Sequence, residues 1–409
     1  MKISQAFWAM VDQSLFAAAH FFGSLLLARW LSAEQFGIFS FVYALFLFVA
    51  TFHTTVVAEP ALVFGSGEYR RQWRAYLDIL WRLHWRVSLW LAAVLGGALG
   101  VYSMVNPQSD AAVATLIAVV APLILWMWLC RRLCYVVLGA RWAAVGGAVY
   151  CMVLLVALTA AQLSGGLTIA VAIACLGLAS AVVAAGLSKR LGAGVPADDA
   201  VLTAEQVWGR HWSYGSWNTL AASLAWVPAN VYYLGFVLHG KTAQSAELRA
   251  AMILILPVMH VFTALAPLLI KEFTVRRRRA VRRRGYRQRM TAVFVAVALV
   301  YGLLLLFFGP SWMTLMYEGK YHGSTALMSA LALLGLVSAV ATVYSSVLRS
   351  YGRTRVMSGG FFGAALVALT VGLWLADRWG VAGAVAAHGL SVLTAAIVLY
   401  GAVRRNGDG

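Results

Sequence analysis

Acidic residues are scarce in this sequence: 14 Asp and Glu stand against 32 Lys and Arg in 409 residues, and charged residues of both signs make up only 11%. A soluble globular chain carries about 25%, so the sequence has too little charge to cover a large water-facing surface. Cysteines number four, Cys130, Cys134, Cys151 and Cys175, all in or beside apolar runs, with no CxxC pair and no Cys/His cluster at metal-ligand spacing. This argues against a disulfide framework or a zinc site, and the four read as small buried apolar residues. Catalytic signatures are missing too: there is no GxSxG, no Walker A loop and no acidic metal motif facing a loop. A cleavable leader is not expected, because the first apolar stretch is long and carries Asp12, His20 and Arg29.

What is present is apolar. Hydrophobic residues make up 62% of the chain, and the mean hydropathy is +0.81 over its whole length. Apolar segments run at roughly 5–31, 36–64, 85–104, 111–130, 142–163, 167–187, 212–238, 249–270, 291–309, 324–348, 356–376 and 381–402. A bilayer span needs about 20 such residues. The expected fold class is therefore an all-α polytopic membrane protein with about twelve transmembrane helices.

The net charge of +18 would suggest nucleic acid in a soluble protein. Here the basic residues fall in short stretches between apolar segments, as orientation by cytoplasmic Lys and Arg requires, and no nucleic-acid partner is expected. With the N-terminus inside, all but five of the 32 Lys and Arg residues lie in cytoplasmic stretches; the five are Arg29, Lys241, Arg249, Lys320 and Arg378. One miscounted segment would reverse every later loop, so the alternation supports the count, with both termini cytoplasmic. The basic run at 276–289 reads as an anchor on anionic lipids. Residues 68–86 mix Arg with Tyr69, Trp73, Tyr76, Trp81 and Trp85, the composition of a segment lying at headgroup level.

The longest expected cytoplasmic connection separates two groups of six segments. The expected lobes are 1–190 and 212–409, joined by a linker at 191–211. A shift of 207 residues carries His53 and Pro60 of segment 2 onto His260 and Pro267 of segment 8, and Asp12 onto Thr219. A six-plus-six repeat is a common transporter plan. Pro60, Pro122, Pro228, Pro257 and Pro267 fall within spans, where each frees a carbonyl and can bend its helix.

Polar groups inside a bilayer usually face a bundle interior. At about 100° per residue, Gln5, Asp12, Gln13, His20 and Ser24 share one face of segment 1. Ser216, Thr219, Ser223 and Asn230 share the equivalent face of segment 7. Both faces are expected to line a common cavity; the alternative is polar and small residues used for helix packing. Asp12 and Glu59 are the carboxylates well inside spans, and each could bind Na+ or a proton and couple it to transport, or simply pair with a neighbouring His or Arg. Arg249, His260, Thr263 and Lys271 form a row on segment 8, about 33 Å from end to end at 1.5 Å per residue. That row could meet an anionic cargo, or its end cations could snorkel to headgroups.

The stretch "LLLARWLSAEQFGIFSFVYAL" at 25–45, with Leu27, Ala28, Arg29, Glu34, Phe36 and Gly37, resembles the first helical hairpin of polysaccharide flippases of the MATE-like superfamily (multidrug/oligosaccharidyl-lipid/polysaccharide, MOP). "ELRAAMILILPVMHVFTALAPLLI" at 247–270 is similar to that family's eighth helix. The resemblance implies a V-shaped pair of six-helix bundles around a central cavity in a bacterial inner membrane, working by alternating access. It implies a cargo of undecaprenyl-pyrophosphate-linked oligosaccharide, that is, a polyprenyl-pyrophosphate-linked repeat unit for surface polysaccharide. Membrane lipids and other polysaccharide-assembly proteins would be its partners, and no cofactor is implied. The cavity residues would be Arg29, His20, Thr219, Asn230, Arg249, His260 and Lys271, with Asp12 and Glu59 as ion-coupling candidates. A drug or cation antiporter of the same superfamily, and an integral-membrane polysaccharide polymerase or transferase, are the alternatives. The basic row speaks against the first, and the lack of a large outside loop against the second.

The expected topology is checked by reporter fusions. Fusions after residues 240 and 320 should read periplasmic and one after 280 cytoplasmic; a periplasmic signal at 280 would overturn the helix count.

Overall fold

The computed structural model describes residues 3–106, 111–192, 202–278, 283–351 and 354–405. They are all-helical, with no strand among the described residues. Among the described residues, eleven continuous helical runs are long and apolar enough to cross a membrane, which makes this a multi-pass membrane protein. They are α1 Ile3–Trp30, α2 Ala33–Ser66, α3 Trp73–Val105, α4 Ala111–Val137, α5 Ala140–Leu163, α6 Ile169–Leu191, α7 Ala204–Leu238, α8 Thr242–Arg278, α9 Arg283–Met316 and α10 Thr325–Ser350, with the last run ending at Arg405. That last run is not one straight helix. It holds a π turn at Ala368–Gly372 and breaks at Gly380, whose φ of 57° and ψ of −137° are not helical. A side chain would be strained at such a positive φ, so glycine stands at the break. The run therefore contributes two segments, α11 at 354–379 and α12 at 381–405, matching the twelve expected from hydropathy.

Several helices outrun their apolar cores. The 33 residues of α3 extend about 50 Å at 1.5 Å per residue, against about 30 Å of hydrocarbon. The stretch expected to lie at headgroup level is, from Trp73 onward, the first turns of α3. Trp73 and Tyr76 are buried there because their polar ends find partners inside: Trp73 Nε1 donates to the Leu191 carbonyl at 3.5 Å, and the Tyr76 hydroxyl meets His211 at 2.8 Å. Likewise α4 runs on to Val137, so Arg131 sits on a helix and not in the connection expected after residue 130. The basic run at 276–289 is interrupted by residues outside the described set; on its near side Arg276 pairs with Glu272 at 2.8 Å within α8.

The chain divides into two compact units. One comprises Met1–Leu31 with Val42–Ala222, the other Ser32–Phe41 with Ser223–Gly409. The helices α2 and α7 each contribute to both. In the first unit α1 packs on α5, and α4 packs on α3 and α6. Small residues permit two of these approaches: Gly147 of α5 lies against Leu15 of α1, and Gly177 of α6 against Val120 of α4. In the second unit α10 packs on α8, α9 and the final run.

Gly37, part of the aromatic-glycine motif read from the sequence, has a packing reason in the second unit. A Cβ there would collide with the Thr242 carbonyl at the start of α8, and Ser245 Oγ donates to the Gly37 carbonyl at 3.3 Å. Gly97 of α3 is the contrasting case, with nothing within 4 Å of an added Cβ. Gly37→Ala should lower stability by about 1–3 kcal/mol through overpacking, whereas Gly97→Ala should be neutral or stabilising by up to about 1 kcal/mol. Thermal unfolding in detergent checks both, and equal midpoints for the two variants would refute the packing role of Gly37.

Candidate functional site

The first polar centre is built around a proline. Pro60 has no N–H, so the carbonyl of Val56, four residues back, loses its helical partner. The helix widens into a π turn at Thr54–Ala58, with the Glu59 N–H reaching back to the Thr54 carbonyl. The released Val56 carbonyl is met by His211 Nδ1 of α7 at 2.9 Å. A carbonyl can only accept, so Nδ1 carries the proton, and in the neutral ring Nε2 accepts from the Tyr76 hydroxyl. One turn on, Gly215 lets α7 come against the π turn: a Cβ there would lie 2.6 Å from the Thr55 carbonyl oxygen. One further turn on, Thr219 Oγ1 lies 2.6 Å from Thr55 Oγ1, one hydroxyl donating to the other. His211, Gly215 and Thr219 thus form a single i, i+4 row. Sequence reading picked out Thr219 but left His211 at the edge of the linker. Extending the polar face of segment 7 back by two turns would have reached it.

The second centre is an ion pair. Asp12 of α1 is 1% exposed and Arg131 of α4 7%. Arg131 donates to Asp12 Oδ1 through Nη2 at 2.6 Å and Nε at 3.2 Å. The Tyr135 hydroxyl donates to Oδ2 at 2.6 Å, and Gln13 Nε2 to the same oxygen at 3.2 Å. The guanidinium also lies 3.9 Å over the Phe16 ring. Asp12 therefore faces the interior of the first unit, and its charge is fully partnered. Glu59, the other embedded carboxylate, is half-buried beside Tyr214 and has no ion pair among the described residues.

A third pair was not foreseen. His53 Nε2 and His84 Nδ1 are 2.9 Å apart, and both rings are fully buried. The repeat singled out His53, but His84 carried no signal in its arginine- and tryptophan-rich surroundings. His20 packs edge-on against Phe16 and lies 3.4 Å from the Tyr43 hydroxyl. Arg29 is exposed near the end of α1.

In the second unit, Arg249, His260 and Lys271 stand on the single helix α8. Arg249 is half-buried, within hydrogen-bonding reach of the Tyr233 hydroxyl and close to Tyr317. His260 is half-buried, and Lys271 is exposed. Thr263 donates to its own helix at the Met259 carbonyl, 2.7 Å away. Asn230 is buried and donates to the Trp226 carbonyl at 3.1 Å. The expected residues thus fall into separate groups: Thr219 with Thr55, Asp12 with Arg131, and the basic row on α8.

No family model and no curated protein matches the sequence. Solved structures do match. One is an inward-facing multidrug resistance MATE family transporter of the MOP superfamily, with TM-score 0.69 and 13% identity, covering 98% of this chain and 94% of the other. Another is the lipid II flippase MurJ in an inward closed conformation, with TM-score 0.69 and 12% identity, covering 98% and 88%. A third is a MOP superfamily transporter from Pyrococcus furiosus, described as having a binding pocket of reverse polarity, with TM-score 0.65, 11% identity and coverage of 98% and 94%. The chain has the fold of the MOP-superfamily transporters over nearly its whole length.

Removing one partner of a buried ion pair leaves the other charge stranded. Asp12→Asn should therefore destabilise the protein by about 3–5 kcal/mol, and adding Arg131→Met should restore much of it. Thermal unfolding of the two variants measures this. A wild-type midpoint for Asp12→Asn would show that the pair carries no structural weight.

Proposed function

We propose that the protein translocates a polyprenyl-pyrophosphate-linked oligosaccharide across a bacterial inner membrane, by alternating access and with both termini cytoplasmic. The observation that carries the reading is the basic row on α8. Moving a pyrophosphate through about 30 Å of hydrocarbon is costly unless fixed charges replace its water and counterions. Arg249 suits the task because its planar fork pairs with phosphate oxygens and stays charged. Lys271 adds a point charge at the far end, and His260 a donor between them. A drug or cation antiporter would gain nothing from such a row. The fold shared with a lipid II flippase supports the reading, and the MATE likeness is equally good, so the cargo rests on α8 and not on the fold. With Asp12 already partnered, coupling to Na+ or a proton is assigned to Glu59.

Deleting the gene should stop a surface polysaccharide while its lipid-linked repeat unit still forms and accumulates on the cytoplasmic leaflet. Units that reach the periplasm and fail only to polymerise would make this protein a polymerase. In complementation at equal membrane levels, Arg249→Ala should lower transport about tenfold or more, the scale of a lost charge-assisted hydrogen bond. Arg378→Ala, at an exposed position, should have little effect. Wild-type transport by both Arg249→Ala and His260→Ala would show that the row is only an anchor.

A further inference from the structure

A groove of about 740 Å³ opens on the first unit between α3, the end of α2's first half and the start of α7. Its walls include Phe52, Arg82, Arg86, Trp90, Glu205 and Trp208. Its two arginines lie on the opposite side of α3 from His84, about 160° away at 100° per residue, so they are separate from the buried histidine pair. Nothing in the transport reading uses it.

The charges in this groove are unbalanced. Arg82 and Arg86 are exposed and make no ion pair or hydrogen bond among the described residues. They stand one turn apart, a spacing at which like charges destabilise a helix. Glu205 is within the same groove but forms no salt bridge with either among the described residues. An anion lying between the two guanidiniums would remove the repulsion and take up their free donors.

The walls say where that anion comes from. Trp90, 61% exposed, stands one turn beyond Arg86 and about 6 Å further along the axis. Its ring lies 6.3 Å from Phe52, while on the α7 side Trp208 stacks on Trp212 at 5.7 Å. Tryptophans of this kind mark the boundary between headgroups and hydrocarbon. From Val87 to Val105, α3 carries no charged residue. The groove therefore begins with two cations and continues along an apolar, aromatic wall, the order of groups in a phospholipid.

We propose that this groove is a binding site for one anionic phospholipid, its phosphate held by Arg82 and Arg86 and an acyl chain laid along Phe52 and Trp90. A neutral zwitterionic lipid carries its own cation and would leave the arginine pair uncompensated. The site is independent of what the protein transports.

Native mass spectrometry of the purified full-length protein, titrated with phosphatidylglycerol or phosphatidylcholine of the same chains, tests this. Wild type should retain one phosphatidylglycerol with about tenfold or greater preference, as expected from two basic residues at a membrane surface. Arg82→Gln with Arg86→Gln should abolish the preference, and Arg404→Gln with Arg405→Gln should leave it intact. Val87→Trp keeps both arginines but fills the groove, and should also displace the lipid. This second variant decides the matter if the double arginine variant does not fold. Equal retention of the two lipids by wild type, or undiminished phosphatidylglycerol binding by Val87→Trp, would overturn the proposal.

Discussion

Inside hydrocarbon a backbone carbonyl without a donor costs several kcal/mol, and water is not there to supply one. Pro60 creates such a carbonyl at Val56, and much of the first unit follows from how it is satisfied. His211 must reach it, so α7 must approach α2 closely. Gly215 must then be glycine, because a side chain would strike the Thr55 carbonyl. The ring that donates through Nδ1 needs its other nitrogen occupied, and Tyr76 of α3 supplies the hydroxyl. One missing N–H thereby ties three helices together.

Charge inside the same unit obeys the same rule. Asp12 and Arg131 lie on helices far apart in sequence, and each would be prohibitively costly alone. Together with the hydroxyl of Tyr135 and the amide of Gln13, all of the strong sites on the carboxylate are used. A carboxylate so completely partnered has little left with which to exchange ions. Through Arg131 and Tyr135 it ties α1 to α4.

Hydropathy was enough to count the helices, because twenty apolar residues in a row leave little else for a chain to do. Even the weakest boundary, between the last two segments, was legible as the polar "DRWG" near Gly380. Helix ends were not legible where polar residues found buried partners: Trp73 and Tyr76 looked like headgroup anchors, and Arg131 like a loop cation. Composition cannot show that Tyr76 faces His211, or that Arg131 faces Asp12, because those pairings depend on contacts 135 and 119 residues apart in sequence. The glycine of the hairpin motif was recognised as a pattern, and its reason, the close approach of Thr242, appears only in three dimensions.

The 207-residue repeat sharpens the contrast between the units. His53 is sealed in the first unit against His84, while its counterpart His260 is half-buried and pairs with no second histidine among the described residues. Pro60 has reshaped its helix into a π turn, whereas α8 runs unbroken through Pro267. In each pair the first unit spends its polar groups on its own cohesion. On α8 the equivalent His260 is half-buried, between Arg249 and Lys271 on the same long helix. On the proposed reading an anionic cargo needs cations spaced along its path, and α8, with Arg249 and Lys271 about 33 Å apart on one face, is where its recognition should be sought, rather than the polar face of α1, whose carboxylate is already neutralised by Arg131.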